Sequence, residues 1–288
     1  MYSPRRARRP QYSTGFRIRR VVGWMLISLA LVMGGVWTWE TFGTTWMIRG
    51  QMIEAIDNFS AELPPAPVNI APRDVICWRP DEGDFTGDCT PPDLDRSGLE
   101  VGDPFGIMTV PTWEGTEDNW GNMMPNRILV REGSNIESLN YYVLDGGAAS
   151  HYPDTVGPGQ VGNFALAGHR RSFGDSFLHL PDLELGQFVI IETAEAWYIY
   201  EIIGHQIVLP TETWVVNPDP FTPPDENGMQ HPTRRLATWT TCTLANGSQW
   251  GNSHRWITWG ELYAWMPRDA GVPPMIDAYW TVSGSDQA

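Results

Sequence analysis

From residue 105 onward the chain is divided into short segments rich in β-branched and aromatic residues, each ended by Gly, Pro, Asn or Asp. The first group of residues favours strands and the second favours turns. The segments read RILVRE, FALAG, QFVIIETA, AWYIYEIIGHQIVL, RRLATWTT and RWITWGEL. Helical patterning is sparse outside SNIESLNYYV at 134–143, which disfavours parallel βαβ units. The pattern predicts an all-β barrel or sandwich over residues 105–265, and the need to close sheet edges favours a barrel.

Residues 21–39, VVGWMLISLALVMGGVWTW, contain no charged side chain. At about 1.5 Å per helical residue the segment is long enough to cross a bilayer once. The preceding tail, residues 1–20, carries seven arginines and no acidic residue, so the positive-inside rule keeps it in the cytoplasm and places residues from 40 onward outside. A cleaved signal peptide is the alternative. The long apolar run and the absence of a small-x-small cleavage site favour an uncleaved, single-pass anchor in the cell membrane.

The charge distribution limits the possible partners. All 19 basic residues are arginines, and residues 21–288 carry 12 of them against 34 acidic residues, a balance of −22. Such a body repels nucleic acid, so we expect no nucleic-acid partner. With 42% hydrophobic residues the chain can still bury a sizeable core.

The chain has three cysteines, Cys77, Cys89 and Cys242. Outside the membrane cysteines can be oxidised. Cys77 and Cys89 flank the turn-rich segment CWRPDEGDFTGDC, which a short-range disulfide could close, and this pairing leaves Cys242 as a free thiol. A bridge to Cys242 and three unpaired thiols are the alternatives, because spacing alone does not fix connectivity.

Residues 40–104 are interpreted as an extracytoplasmic stem and linker. The first part, 40–62, has apolar residues at helical spacing before ELPPAP ends the pattern: Met52, Ile53, Ile56 and Phe59. The second part, 63–104, is rich in Pro, Asp and Gly and is expected to hold the body away from the membrane. Its acidic stretch lacks the ligand spacing of an EF-hand, so it is interpreted as solvated linker instead of a cation site. Residues 266–288 form a predicted C-terminal tail.

Three residues that could carry chemistry stand at predicted strand ends. Cys242 ends RRLATWTTC, Arg255 opens RWITWGEL, and His169 follows the strand FALAG. A thiol acts as a nucleophile only as thiolate, so it needs a proton acceptor and positive charge nearby. Antiparallel strands joined by the short loop would bring Cys242 and Arg255 to one rim of the sheet. The remaining histidines show no metal-ligand spacing, so neither a metal nor a cofactor is predicted.

The order GNFALAGHR, TWTTC and HRWI resembles the sortase family, the membrane-anchored cysteine transpeptidases of Gram-positive surfaces. Its signature is T-L-x-T-C with an upstream His and a downstream Arg. Trp239 occupies the Leu position and is expected to point into the body. The run 147–191 is similar to the family's Pro-Gly-x-x-Gly-Asn and Ala-Gly-His-Arg segments, with Gln187 where the family has Asp. The resemblance covers about residues 105–265, and the Thr-Thr-Cys ending is most like class E.

The resemblance implies a closed eight-stranded β-barrel with short helices. It makes Cys242 the nucleophile, His169 the general acid and base, and Arg255 the group that positions substrate or stabilises the oxyanion. It also assigns four residues to the substrate-binding surface: Thr240, Thr241, His151 and Arg170. For His151 a structural hydrogen bond is an equally good interpretation, and Arg170 could instead be a solvated loop charge.

The implied reaction is transpeptidation without a cofactor. The enzyme would cleave a C-terminal sorting motif of the LAxTG or LPxTG type between Thr and Gly through a thioacyl intermediate on Cys242. It would then transfer the surface protein to an amine of a cell-wall precursor or to a pilin lysine, with hydrolysis when no amine arrives. The implied partners are therefore surface proteins that bear a C-terminal sorting signal, an amine acceptor and the membrane.

Other classes of protein fit parts of the same sequence. An exported cysteine hydrolase or peptidase would use the same Cys and His, and a catalytically inactive sortase-like binding module could keep all three residues. An L,D-transpeptidase is disfavoured because its Ser-His-Gly-Cys segment is absent. An adhesin or pilin-like module with internal Lys-Asn isopeptide bonds is excluded because the chain has no lysine.

Overall fold

The computed structural model describes residues 14–118, 121–133 and 143–276. The chain divides into two compact units, residues 1–43 and 44–288. In the first unit, helix α1 (Thr14–Thr38) is followed by a π-helical turn (Trp39–Gly43). Helix α1 has a mean hydropathy of 1.9 and no buried residue, and it is long and apolar enough to cross a membrane. It contains the predicted span 21–39 except for its last residue.

The described part of the second unit contains one α-helix, nine strands and several short 3₁₀ turns. Helix α2 runs from Thr44 to Glu62. The strands are β1 Cys77–Trp78, β2 Pro104–Thr109, β3 Arg127–Glu132, β4 Ala149–His151, β5 Gly162–Ala167, β6 Phe188–Glu192, β7 Ala196–Val208, β8 Arg235–Thr243 and β9 His254–Pro267. The turns are Arg73–Val75, Gly87–Cys89, Pro111–Trp113, Leu180–Asp182, Thr213–Val216, Arg268–Ala270 and Pro274–Ile276.

Eight strands close into a barrel in the order β2-β3-β4-β5-β8-β9-β7-β6, with β6 paired back to β2. The pairs β3–β4 and β5–β8 are parallel, and the others are antiparallel. The long pairing of β8 with β9 supplies the closure that removes the sheet edges. The predicted eight-stranded barrel is confirmed. Strand β1 lies outside the ring and pairs with the far end of β9.

The barrel interior is filled by aromatic and aliphatic side chains, including Trp239. Trp239 is fully buried, as expected for a residue that points into the body, and its ring meets that of Tyr200 edge to face at 6.0 Å. Gly260, on the neighbouring strand β9, lies diagonally across from Trp239, and a Cβ there would approach the indole to 2.9 Å. The absence of a side chain at Gly260 therefore leaves room for a residue larger than the family's Leu.

Helix α2 packs on the outside of the barrel, which differs from the expected free stem. Ile56 is buried in one cluster with Ile107 of β2 and Leu129 of β3. Arg49 forms ion pairs with Asp118 at 3.0 Å and Asp175 at 3.3 Å. The periodic apolar residues predicted the helix, but only the tertiary structure shows that the barrel covers its apolar face.

Residues 63–104 also lie on the barrel, whereas the sequence was interpreted as a linker that holds it away. Phe85 is buried in the main core, and the Asp84 carboxylate binds the Arg235 guanidinium through two contacts of 2.7 Å. The structure joins Cys77 and Cys89 by a disulfide with a Cα–Cα distance of 5.3 Å, one of the arrangements that the sequence left open. This acidic segment is held by specific partners, so its polar composition reflects contact with the barrel surface as well as with solvent.

The domain boundaries inferred from the sequence stay predictions. Most of the predicted helical stretch 134–143, residues 1–13 of the N-terminal tail and residues 277–288 of the C-terminal tail lie outside the described residues.

Candidate active site

The predicted nucleophile and the predicted arginine face each other across two strands. Strand β8 lies between β5 and β9, and Cys242 is the direct antiparallel partner of Arg255. Directly opposed residues in an antiparallel pair project on the same face. The loop 244–253 joins the two strands, and because Thr243 pairs with His254 the end of β8 and the start of β9 meet at one rim of the barrel. The predicted juxtaposition of Cys242 and Arg255 is present.

His169 reaches the same rim from the other neighbour of β8. The parallel pairing of β5 with β8 ends at Ala167 and Thr240, and two residues further along each chain stand His169 and Cys242. The pairing continues past the strand end, because the Thr241 hydroxyl donates to the Gly168 carbonyl at 2.8 Å. Neighbouring strands are about 4.8 Å apart. The imidazole, thiol and guanidinium residues therefore lie side by side, with Cys242 in the middle.

The His169 ring has two neighbours that sequence reasoning missed. Its Nε2 lies 2.8 Å from Oδ1 of Asp145, and its ring stacks on that of Phe173 with 5.4 Å between the centroids. The Phe177 amide donates to the His169 carbonyl at 2.8 Å, which fixes the backbone of the histidine. Asp145 stands 24 residues before His169, so no local signal in the sequence indicates this contact.

The two arginines after His169 hold the loop between β8 and β9. Arg170 donates from Nη1 to the Thr243 hydroxyl at 2.9 Å and to the Gly247 carbonyl at 2.8 Å. Arg171 stacks on the exposed Trp250 ring with its guanidinium carbon 3.9 Å from the centroid. Burial lowers the pKa of the Arg170 guanidinium, while its attraction to Asp182 and, less strongly, to Cys242 opposes that shift. Arg170 thus lies within electrostatic range of Cys242.

Arg255 is held by the same loop. Its Nη1 donates to the Asn252 carbonyl at 2.8 Å and to the His254 carbonyl at 3.0 Å. Both acceptors are neutral backbone carbonyls, so these hydrogen bonds fix the guanidinium without pairing it with a carboxylate.

Tyr152 is a further residue of this site, in the segment SHYPD, and the sequence analysis did not single it out. Burial raises the pKa of the Tyr152 phenol, while the Thr240 hydroxyl and the Arg255 charge oppose the rise and Cys242 adds to it. The phenol therefore stays protonated near the thiol. Thr240 is 7% exposed, on the same face of β8 as Cys242, whereas Thr241 points inward and uses its hydroxyl on Gly168.

His151 lies inside the protein. It is 1% exposed, and both ring nitrogens have protein partners. Nδ1 lies 2.8 Å from Arg96 Nη1 and 3.0 Å from Glu132 Oε1, and Nε2 lies 3.1 Å from the Val156 carbonyl. Burial pushes the pKa of Glu132 up, but His151 and Arg96 outweigh it, so the pKa lies below its ordinary value. The structural hydrogen bond, not a cleft position, is the observed role.

Cys242 is a free thiol, and it lies far from the disulfide. Cys77 pairs with Trp265 at one end of β9, and Cys242 pairs with Arg255 near the other. Ten residues of strand separate these positions by about 30 Å. Exchange between the thiol and the disulfide within one molecule is therefore excluded by distance.

The described residues contain no group of three or more His, Cys, Asp or Glu side chains that could hold a metal ion. The rim instead carries a thiol residue whose neighbours on the adjoining strands are a histidine and an arginine, the residue types that activate a cysteine nucleophile. Fold and site together define a thiol enzyme built on a closed β-barrel.

Comparison with known proteins agrees with this class. A family model described as "Sortase domain" matches residues 123–263. The chain is 32% identical over 140 residues to Sortase SrtE1 of Streptomyces coelicolor and 33% identical over 146 residues to Sortase SrtE2 of the same organism. These matches cover 46% and 49% of this chain, but only 37% and 52% of the two relatives, so the chain spans about half or less of their length.

A solved structure is matched over most of its length. The SrtA sortase from Actinomyces oris is 34% identical, with a TM-score of 0.55, and the match covers 69% of this chain and 95% of that one. The chain therefore belongs to the sortase family. Within the family it is most like class E.

Proposed function

We propose that the protein is a membrane-anchored cysteine transpeptidase that cleaves a C-terminal sorting motif between Thr and Gly. The observation that carries the proposal is the position of Cys242 at the end of β8, between Arg255 at the start of β9 and His169, two residues past the end of β5. Membership of the sortase family supports the reaction class. The motif is of the LAxTG or LPxTG type, and the likeness to class E favours LAxTG.

In the proposed first half-reaction the Cys242 thiolate attacks the carbonyl carbon of the Thr-Gly bond. Arg255 and backbone donors offset the negative charge that develops on the carbonyl oxygen, a contribution of about 3 kcal/mol per donor. The carbon–nitrogen bond then breaks, and the departing glycine amine takes a proton from the His169 imidazolium. The products are a thioester on Cys242 and a free amine.

In the second half-reaction an acceptor amine attacks the thioester carbonyl and gives a proton to neutral His169. The sulfur–carbon bond breaks, which regenerates the thiolate and leaves a new amide. Water in place of the amine gives hydrolysis. The acceptor is an amine of a cell-wall precursor or a pilin lysine, and the donor is a surface protein with a C-terminal sorting signal.

Two residues near the thiol are proposed to contact the substrate. Thr240 shares the outer face of β8 with Cys242, and Tyr152 lies beside it. Thr241, Arg170 and His151 are proposed to act indirectly, because their polar atoms already bind protein groups.

Helix α1 is proposed to anchor the protein in the cell membrane, with the arginine-rich tail inside the cell and the barrel outside. The length and hydropathy of the helix and the excess of arginine before it support this orientation.

The test is incubation of the full chain, in detergent micelles, with peptides that contain LAxTG or LPxTG, with and without an added amine. Mass spectrometry should find cleavage between Thr and Gly and transfer to the amine. Cys242→Ala and His169→Ala should abolish turnover and leave the fold intact, whereas the matched control His179→Ala, at a surface pair with Asp182, should keep it. Turnover by Cys242→Ala would refute the nucleophile assignment. Hydrolysis without transfer at any amine concentration would favour a hydrolase.

A further inference from the structure

Asp145 contacts His169, the proposed general acid and base, and lies outside the sequence motifs on which the family resemblance rests. Asp145 Oδ1 lies 2.8 Å from His169 Nε2, and the two side chains are 28% and 25% exposed. This is the distance of a charge-assisted hydrogen bond in a partly shielded setting. An ionised carboxylate can only accept, so the hydrogen must sit on Nε2 of the imidazole.

The turn that carries Asp145 is held from two sides. Val143, before it, is 1% exposed, and the Gly147 amide, after it, donates to the Leu144 carbonyl at 2.8 Å. Gly147 has a φ of +77°, and a Cβ there would overlap Sδ of Met52 on helix α2. The carboxylate therefore sits on a turn whose backbone is fixed by the core and by α2.

The same helix fixes the other neighbour of His169. A Cβ on Gly174 would also overlap Met52 Sδ, and Arg49 of α2 pairs with Asp175 at 3.3 Å. These residues belong to the turn that includes Phe173, whose ring stacks on His169. Helix α2 thus braces both the hydrogen-bond acceptor and the stacking partner of the imidazole.

We propose that Asp145 is a positioning residue that keeps the Nε2 hydrogen on His169, so that Nδ1 is the nitrogen that exchanges protons during catalysis. Which nitrogen of a histidine carries the proton is set by the hydrogen bond that the other nitrogen makes. In the imidazolium both nitrogens carry a hydrogen, and in the neutral ring only Nε2 does. Asp145 therefore keeps its hydrogen bond in both states of His169.

This arrangement suits both half-reactions. When the glycine amine leaves, Nδ1 gives up its proton, and when the acceptor amine attacks, Nδ1 takes one back. A carboxylate at this distance attracts the imidazolium more than the neutral ring. This role of Asp145 rests on the proposed function of His169 as the general acid and base.

The experiment compares the full chain in detergent micelles with Asp145→Asn, Asp145→Glu and the control Asp182→Asn. Asp182 offers a comparable pair, because its exposed carboxylate lies 2.7 Å from Nδ1 of His179, which is a partly buried histidine like His169. Three quantities are measured: kcat and KM for a sorting peptide, the pH dependence of kcat, and the ¹⁵N shifts of labelled histidine rings, with the His169 signals assigned from a His169→Gln variant.

We expect Asp145→Asn to lower kcat by roughly 10- to 100-fold, a part of the 100- to 10,000-fold that acid–base catalysis supplies. KM should not change, because Asp145 does not touch the substrate. The limb of the pH profile that reports loss of the imidazolium proton should move to lower pH. In the wild type at high pH the ¹⁵N shifts of His169 should show that Nε2 carries a hydrogen and Nδ1 does not. Asp145→Asn should change these shifts. Asp145→Glu should restore part of kcat, and Asp182→Asn should leave kcat unaltered.

An unprotonated Nε2 in the neutral His169 ring of the wild type would overturn the proposal. So would a loss of activity in Asp145→Asn that comes with an unmoved pH profile and a lowered melting temperature, since that combination indicates a purely structural residue. The ring shifts require no turnover. If the wild type did not act on sorting peptides, the transpeptidase proposal would fail, while the ¹⁵N shifts would still decide which nitrogen of His169 carries the hydrogen.

Discussion

Cys242 and Arg255 are direct partners across the antiparallel strands that close the barrel. The arginine adopts its position by binding the carbonyls of Asn252 and His254, two residues of its own loop. The position of the Arg255 guanidinium is therefore fixed by the β8–β9 pairing and by these two carbonyls. Among the described residues no acidic side chain forms an ion pair with Arg255.

Replacing Arg255 by lysine should lower kcat/KM by about 100-fold or more, the scale of one oxyanion donor. An ammonium keeps the charge but cannot bind two loop carbonyls and face the substrate with a planar fork. The measurement is steady-state cleavage of a sorting peptide by Arg255→Lys and by Arg73→Lys, an exposed arginine far along the chain that should tolerate the change. Near-normal rates for Arg255→Lys would assign Arg255 a structural role only.

Gly147→Ala should destabilise the protein more than Gly186→Ala does. Both glycines have a left-handed φ, +77° and +83°, but only Gly147 faces Met52, while Gly186 has open space around it. The control should cost about 1–2 kcal/mol for the backbone conformation alone, and Gly147→Ala a further 1–3 kcal/mol or so for overpacking. Urea unfolding measures both.

The same site allows a double-mutant cycle. Met52→Ala removes the sulfur that the new methyl group would meet, so Gly147→Ala should cost less in the Met52→Ala background than in the wild type. Equal costs in the two backgrounds would show that helix α2 does not press on the Asp145 turn.

The strand pattern was sufficient for an all-β body, and the family resemblance was needed for a closed eight-stranded barrel. Strand pattern is local, and the turn-rich segment after Cys242 indicated that two antiparallel strands would bring Cys242 and Arg255 together. The burial of Trp239 followed from its place in a strand. Predictions of this kind depend on periodicity and on neighbours within a few residues.

The contacts around His169 could not be obtained in this way. Asp145, Phe173 and helix α2 reach the imidazole through packing between distant segments, and single Asp or Met residues carry no signal of such contacts. His151 shows the opposite case, because a polar residue inside a motif suggested a cleft position, yet it is buried with both ring nitrogens engaged.

The stem and linker interpretation of residues 40–104 differed from the structure for a related reason. An acidic, Pro-rich composition occurs both in solvated linkers and in segments whose carboxylates bind arginines on a folded surface, as Asp84 binds Arg235. Composition alone therefore does not distinguish the two.

Cys77→Ser with Cys89→Ser should lower the free energy of unfolding by roughly 2–4 kcal/mol, the usual contribution of a disulfide that closes a short loop. Reductant should lower wild-type stability by a similar amount and leave the double variant unaffected. Thiol labelling of the unfolded protein should find one reactive cysteine before reduction and three after it. Coincident urea transitions for wild type and variant would contradict a stabilising role.

Asp84→Asn should destabilise the protein at neutral pH but not in strong acid. Burial raises the pKa of Asp84, but two hydrogen bonds to Arg235, one from the Phe85 amide and the arginine charge outweigh it, so the folded pKa lies below the ordinary 3.8. A carboxyl group whose pKa is lowered by folding contributes stability that is complete above its unfolded pKa and lost as pH falls through the folded one. The difference between wild type and Asp84→Asn should therefore be constant from about pH 7 to pH 5 and shrink below 3.8. Chemical unfolding across this range measures it, with Asp81→Asn in the same exposed loop as the control. A difference that persisted unchanged below 3.8 would mean that the Arg235 charge is not what stabilises this segment.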